Sequence, residues 1–122
     1  MRDLKEIAHN YFERLLNGKD LTVCDEVLAE SYVDHAAPSG SLRGPEPTKT
    51  HVSQMFREIP DLKAEVVDIL AESNKVAARV RWTGHCQDSG DPSEKEGIVI
   101  LHFNADGQMV RIFLDITAKV RD

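Results

Sequence analysis

The chain has 122 residues, of which 41% are hydrophobic and 30% charged, and its formal net charge is −6. This length suits one domain, and the composition is typical of a globular protein. The basic residues are scattered, and no apolar run approaches the length of a bilayer-spanning helix or the core of a signal peptide. We therefore expect a single cytoplasmic domain over residues 1–122 that binds neither nucleic acid nor membrane.

Short motifs that carry metal or cofactor chemistry do not occur in the sequence. The cysteines Cys24 and Cys86 belong to no CxxC pair or Cys/His cluster, and there is no dinucleotide-binding, phosphate-loop, nucleophile-elbow or zinc-protease motif. Such motifs are typical of metal-binding, cofactor-dependent and nucleophile-dependent proteins. We predict no disulfide, no metal site and no cofactor.

The first half of the chain has helical periodicity. Apolar residues recur at spacings of three and four over residues 4–16, which predicts an amphipathic helix. A shorter helix is expected over residues 20–28, and a third over residues 45–59 with prolines in its first turn. Between the last two, residues 32–35 form a short extended segment that leads into a loop.

The second half of the chain has the alternation and turn residues of strands. We predict a four-stranded antiparallel meander over residues 64–71, 76–86, 97–104 and 109–120. Because helices come first and strands afterwards, without βαβ alternation, the fold class is α+β.

The two faces of the predicted sheet can be assigned from side-chain alternation. The inner face of the second strand should carry Val76, Ala78, Val80 and Trp82. The same parity assigns Ile98, Ile100 and His102 to the inner face of the third strand, and Val99, Leu101 and Phe103 to its outer face. Because that outer face would be apolar, we expect a homodimer that covers it.

Several short sequence segments, taken in their order along the chain, resemble those of one protein family. They are the residues at 32–35 (YVDH), 44–46 (GPE), 59–62 (IPDL), 76–79 (VAAR), 82–85 (WTGH) and the hairpin at 103–110. The chain resembles the SnoaL-like polyketide cyclases of the nuclear-transport-factor-2-like, or ketosteroid-isomerase-like, superfamily. The resemblance implies a cone-shaped α+β barrel with three N-terminal helices packed on a curved, mainly antiparallel sheet. It also implies an internal pocket and, often, a dimer through the sheet.

Three residues are candidate acid–base groups. His35 ends the extended segment, where it could serve catalysis or order the following loop. His102 interrupts an apolar strand, and on an inner face its imidazole would need a partner. In SnoaL-type cyclases an aspartate of the last strand acts as acid and base; the resemblance puts that position at Leu114, one residue before Asp115. A β-bulge would turn Asp115 inward, and without one it points outward.

The pocket wall is predicted from the inner-face assignments and the aromatic residues. Its expected members are Tyr11, Tyr32, Trp82, Ile98, Ile100, Ile112 and Leu114. Such a wall favours a small apolar, neutral or weakly polar ligand. His51 is interpreted as structural or solvated, and Asp34 ranks below His35 as a site residue.

Three functions remain open at this point. The chain could be a cofactor-independent acid–base enzyme of the cyclase, isomerase or dehydratase type that acts on an apolar carbonyl compound. It could instead be a non-catalytic ligand-binding module with the same pocket, or a dimerisation module that uses the outer sheet face. Whether Asp115 or Leu114 faces the cavity separates the first two.

Overall fold

The helices of the chain lie in its first half, as predicted. The computed structural model describes residues 3–34 and 43–117. Its helices are α1 Leu4–Phe12, α2 Thr22–Val27 and α3 Pro45–Glu58, and a π-helical turn, Glu13–Asn17, continues α1. Asp3 caps α1 by accepting hydrogen bonds from the backbone N–H groups of Lys5 and Glu6.

The strands form one sheet that pairs the two halves of the chain. They are β1 Leu28–Asp34, β2 Lys63–Glu72, β3 Lys75–His85, β4 Pro92–Phe103 and β5 Met109–Thr117, in the order β1-β5-β4-β3-β2. The predicted antiparallel meander is β2 to β5, and β1 adds a strand parallel to β5. Three helices packed on a five-stranded, mostly antiparallel sheet confirm the α+β prediction over the described ranges.

Strand β4 begins five residues earlier than residue 97, where the sequence predicted it. The β3–β4 pairing extends to His85 opposite Pro92, so the connection is only residues 86–91. Gly90 adopts a positive φ of 73° in this turn, and the backbone N–H of Cys86 donates to the carbonyl of Asp91 at 2.9 Å. The early part of β4 is charged, and its buried Glu96 contacts two arginines of β3.

The inner face of β3 was predicted correctly, and that of β4 was inverted. Val76 and Val80 are fully buried under the helices. On β4 the buried residues are Val99, Leu101 and Phe103, whereas Ile98 and Ile100 are 54% and 40% exposed. Register is the reason, because Ile98 pairs with Arg79 and Ile100 with Ala77, both on the outer face of β3.

The interface predicted from Val99, Leu101 and Phe103 is therefore wrong, since all three belong to the core. A different set of large apolar side chains is exposed on the outer face of the sheet. This outer patch consists of Leu70, Ile98, Ile100 and Phe113.

Two close contacts attach the helices to the sheet. The side-chain amide of Asn17 donates to the carbonyl of Ala64 at 2.8 Å, and its oxygen accepts from the N–H of Ala64 at 2.7 Å. At Gly84 a Cβ atom would lie 2.3 Å from Cγ2 of Ile59, so glycine allows the end of α3 to approach β3. No helix within the described ranges is long and apolar enough to cross a membrane.

Candidate functional site

A cavity of about 400 Å³ lies between the inner sheet face and the helices. Its wall is formed by α1, the π-helical turn, α3 and the residues just after α3, together with β1, β3, β4 and β5. The wall consists of Tyr11, Phe12, Leu15, Leu16, Tyr32, Asp34, Thr48, His51, Val52, Met55, Glu58, Ile59, Leu62, Trp82, Ser93, Lys95, Ile112 and Leu114. Apolar side chains dominate, and a few polar groups interrupt them, which is the usual make-up of a small-molecule site.

The closed end of this cavity is formed by Tyr11, Tyr32 and Thr48. These residues come from α1, β1 and α3, and each is at most 4% exposed. Tyr11 packs edge-on against Phe12, with ring centroids 5.5 Å apart. Three buried hydroxyl-bearing side chains therefore line one end of the cavity.

Burial governs the ionisation of this end. It raises the pKa of Tyr11 well above its ordinary value, and the nearby Tyr32, Cys24 and Asp34 raise it further. Burial and Asp34 likewise raise the pKa of Tyr32, partly opposed by Thr48. The Cys24 thiol behind Tyr11 has a pKa of about 11, again because it is buried. Both phenols therefore stay protonated at neutral pH.

Asp34 brings a carboxylate to the wall from the end of β1. It pairs with Ile112 of β5, so the two side chains share the inner face. Leu114 follows two residues along β5, roughly 7 Å further. At the expected acid position the strand thus carries a leucine, and the neighbouring strand supplies the carboxylate.

The mouth of the cavity is formed by Glu58, Ser93 and Lys95. Glu58 and Lys95 are exposed, and Ser93 is half-buried. Lys95 of β4 pairs with Trp82 of β3, and the Trp82 side chain forms part of the apolar wall near the mouth. Exposed charged side chains therefore lie where the cavity opens, whereas the buried hydroxyl groups lie near the Asp34 carboxylate.

Five of the seven predicted pocket residues lie on the wall: Tyr11, Tyr32, Trp82, Ile112 and Leu114. The other two, Ile98 and Ile100, were predicted wrongly, because the register of β4 turns them to the outer face.

The candidate acid–base residues are not brought together in the described part of the chain. His35 lies outside the described residues. His102 is half-buried on the outer face, where its ring lies 5.4 Å from that of Phe113. Asp115 is exposed and pairs with Ile98 on the same outer face. The prediction that His102 lies on the inner face is therefore wrong. Asp115 points outward, as expected for a strand without a bulge that turns it inward.

A bulge does occur in β5, but it does not turn Asp115 towards the cavity. The β4–β5 register shifts between His102, opposite Arg111, and Phe103, opposite Met109. From Arg111 onward the pairing is regular, so Ile112 and Leu114 face inward and Asp115 outward.

Polar wall residues of α3 were missed by sequence reasoning. Thr48 and His51 lie four and one residues before Val52, and Met55 follows three residues after it, so all four belong to one helical stripe. Applying the periodicity of the buried stripe to polar residues as well would have found them. Among the described residues no group of three or more His, Cys, Asp or Glu side chains could hold a metal ion.

Comparison with solved structures agrees with this architecture. A candidate polyketide cyclase from Bacillus cereus ATCC 10987 has a TM-score of 0.79 at 25% identity, covering 93% of this chain and 73% of that one. A SnoaL-like polyketide cyclase from Agrobacterium tumefaciens strain C58 has a TM-score of 0.82 at 17% identity, covering 96% and 93%. TsrD from Streptomyces laurentii has a TM-score of 0.81 at 20% identity, covering 95% and 91%.

No functionally curated protein matches the chain significantly. A family model does: that of the SnoaL-like domain matches residues 8–112, from the middle of α1 to the inward-facing Ile112 of β5. The match includes β1 to β4, the first four residues of β5 and nearly all of the cavity wall. The chain therefore belongs to the SnoaL-like domain family.

Proposed function

We propose that this protein binds a compact, mainly apolar carbonyl compound in its cavity. The observation that carries the proposal is a cavity of about 400 Å³ with an apolar wall and a polar closed end. Ligand pockets generally measure about 300 to 1,000 Å³, so this one suits a compact molecule. The neutral hydroxyl groups at its depth favour a ligand with an uncharged oxygen.

Binding without catalysis is favoured over cyclase-type proton transfer from the last strand. Proton transfer from carbon needs a base placed against the substrate. Leu114, where the resemblance puts the family's aspartate, faces the cavity, and Asp115 is exposed on the other face.

Acid–base catalysis on the same ligand is the second candidate. Asp34 and His51, which are two of the titratable groups on the wall, favour it. His35, which follows Asp34 in the sequence, remains the sequence-derived candidate for this role.

Binding can be tested by calorimetry with methyl naphthyl ketone as the probe. Leu114→Trp should abolish binding, because the larger ring fills the cavity from its wall. Phe113→Trp is the matched control, since the neighbouring side chain is on the outer face and 38% exposed. Equal affinity in both variants, or no binding by the wild type, would contradict the proposal.

The two candidate functions differ in proton exchange. A binding protein leaves the deuterium exchange of the ketone's methyl protons at the buffer rate, as followed by NMR. If the wild type accelerates the exchange and Asp34→Asn does not, the catalytic candidate replaces the binding proposal.

We further propose that the protein forms a homodimer through the outer patch. Leu70 and Phe113 lie in one cross-strand row with Ala77 and Ile100, and Ile98 sits beside it. All four large side chains of the patch are at least 38% exposed, which is unusual for one contiguous surface of a monomer.

Charges around the outer patch suit a second copy of the same chain. The flanking rows contain the acids Asp68, Glu72 and Asp115 and the bases Lys75, Arg79 and Arg111. A two-fold interface brings the same patch of each copy together, so a balanced rim avoids net like-charge repulsion.

Light scattering on a sizing column tests the dimer. The wild type should be dimeric at micromolar concentration, and Ile100→Glu should be a folded monomer, because the charge enters an exposed position. Ser93→Glu, at the cavity mouth, should remain dimeric. A monomeric wild type would exclude a second copy as the occupant of this patch.

A further inference from the structure

We infer that Asp34 is the counter-ion for a protonated amine of the ligand, and that the compound bound in the cavity therefore carries a cationic group. The amine lies against the Asp34 carboxylate, and the apolar body of the ligand extends along the wall towards the mouth. The inference rests on the proposed ligand-binding function. It adds the charge of the ligand and its orientation in the cavity.

The first argument is the accessibility of Asp34 from the cavity. Its side chain lines the cavity and is only half-buried, whereas the neighbouring Tyr11 and Tyr32 are at most 2% exposed. A ligand therefore reaches the carboxylate more readily than the phenols beside it. In a cavity with an apolar wall, a charged group of the protein gains most from a ligand of opposite charge.

The second argument is the electrostatic environment of the closed end. Burial raises the pKa of Tyr11 and of Tyr32, and the Asp34 carboxylate raises both further. The negative charge of Asp34 therefore acts on this part of the cavity, and the two protonated phenols add no charge of their own. A cationic ligand group is attracted here, and an anionic group is repelled.

The third argument is the separation of charges along the wall. Asp34 of β1 pairs with Ile112 of β5, which pairs in turn with Leu101 of β4. Lys95 precedes Leu101 by six residues on β4, about 20 Å along the strand, and it is exposed at the mouth. Charges separated by more than about 10 Å in solvent are largely screened from each other. Lys95 is therefore too distant to neutralise Asp34.

The wall around Asp34 indicates which kind of amine fits. Tyr11, Phe12 and Tyr32 contribute aromatic rings to the same wall, and Ile112, the pairing partner of Asp34, contributes an aliphatic side chain. Alkylated ammonium groups are commonly bound among aromatic rings. An alkylated amine on an apolar body therefore suits this site better than a hydrophilic amine does.

Three probes of nearly equal shape separate charge from apolar contact: naphthylmethyl-dimethylamine, isobutylnaphthalene and naphthylacetate. At neutral pH the first is a cation, the second is a hydrocarbon of the same shape, and the third is an anion. Calorimetry should show that the amine binds the wild type about tenfold more tightly than the hydrocarbon, because it adds a charge-assisted hydrogen bond. Naphthylacetate should bind at least as weakly as the hydrocarbon.

Charge removal locates the counter-ion. Asp34→Asn should reduce the affinity for the amine about tenfold and leave the affinity for the hydrocarbon unchanged. Asp88→Asn is the matched control, because it makes the same change of charge at an exposed residue outside the wall. Leu114→Trp, which keeps the charge of the protein, should block the amine and thereby distinguish cavity binding from attraction to an acidic surface. Circular dichroism confirms that each variant is folded.

The outcomes separate this inference from the proposed function. If the amine and the hydrocarbon bind the wild type equally well, or if Asp34→Asn keeps the preference for the amine, the cationic subsite is wrong. The proposed function still stands in that case, provided that methyl naphthyl ketone binds and Leu114→Trp blocks it. Cavity binding of the amine without the ketone would support the inference and contradict a carbonyl ligand. If no probe binds, both are overturned.

Discussion

The two faces of the sheet carry similar side chains under opposite conditions. On the inner face of β4, Leu101 and Val99 are packed beneath the helices and are essentially inaccessible to water. On the outer face of the same strand, Ile98 and Ile100 are largely exposed. Large aliphatic residues therefore contribute to the core at one position of β4 and to an open surface at the next.

The comparison shows that the apolar character of a β4 residue does not by itself decide whether it belongs to the core or to the exposed face. A buried methyl group contributes transfer and packing free energy to folding, whereas an exposed one contributes only if something covers it. The inner face thus determines the stability of the monomer and the shape of its cavity. The outer face is available for association.

The largest difference is expected from truncating the two faces of β4. Leu101→Ala should lower the free energy of unfolding by about 2 to 5 kcal/mol, because it leaves a cavity in a packed core. Ile98→Ala, at an exposed position, should change it by about 0.5 kcal/mol or less in the monomeric Ile100→Glu background. Urea denaturation measures both. Similar losses would mean that the faces are not distinct.

A smaller effect is expected from a charge buried on the outer face. Glu96 is only 4% exposed, and its Oε1 lies 3.3 Å from Arg81 and 3.6 Å from Arg79. Glu96→Gln should cost about 1 to 3 kcal/mol, because it weakens charge-assisted hydrogen bonds at a buried site.

Glu65→Gln is the matched control for this prediction. Glu65 approaches the same Arg81 at 3.9 Å, but its side chain is 70% exposed. Exposed ion pairs contribute little, so the change should be within about 0.5 kcal/mol. Equal effects of the two substitutions would show that the outer face has no buried charge centre.

The elements could be predicted from sequence because their periodicity is one-sided. The stripe of α1 and the alternation of β3 each place apolar residues on one face, and both were assigned correctly. Strand β4 is apolar on both faces from residue 98 to 101, so alternation holds no information there. Only its pairing, Arg79 opposite Ile98, fixes the faces, and register depends on the length of a distant turn.

The candidate site was predictable only in part, for a related reason. Tyr11 and Trp82 follow from local stripes, and Ile112 and Leu114 from the parity of β5. The closed end needs Tyr11, Tyr32 and Thr48 to meet from three separate elements, which no local pattern records. Thr48 in particular is an ordinary polar residue in an early helical turn until the fold buries it.

The smallest expected effect lies at the end of β3, where the segment that follows α3 contacts the sheet. Asp61, just after α3, accepts hydrogen bonds at 2.7 Å from the backbone N–H of His85 and at 2.7 Å from its Nδ1. The side-chain hydrogen bond from His85 holds the pKa of the Asp61 carboxyl below its ordinary value of 3.8. The folded state therefore releases this proton more readily than the unfolded state does.

Stability from this contact should be complete above the ordinary value of 3.8 and should be lost as the pH falls through the lower pKa of the folded state. The difference in urea midpoint between the wild type and Asp61→Asn should consequently shrink on acidification through that window. Asp88→Asn, an exposed acid in the adjacent turn, is the control and should show no such convergence. A constant difference from neutral to acidic pH would contradict the prediction, because it would mean that the Asp61–His85 contact does not link protonation of Asp61 to folding.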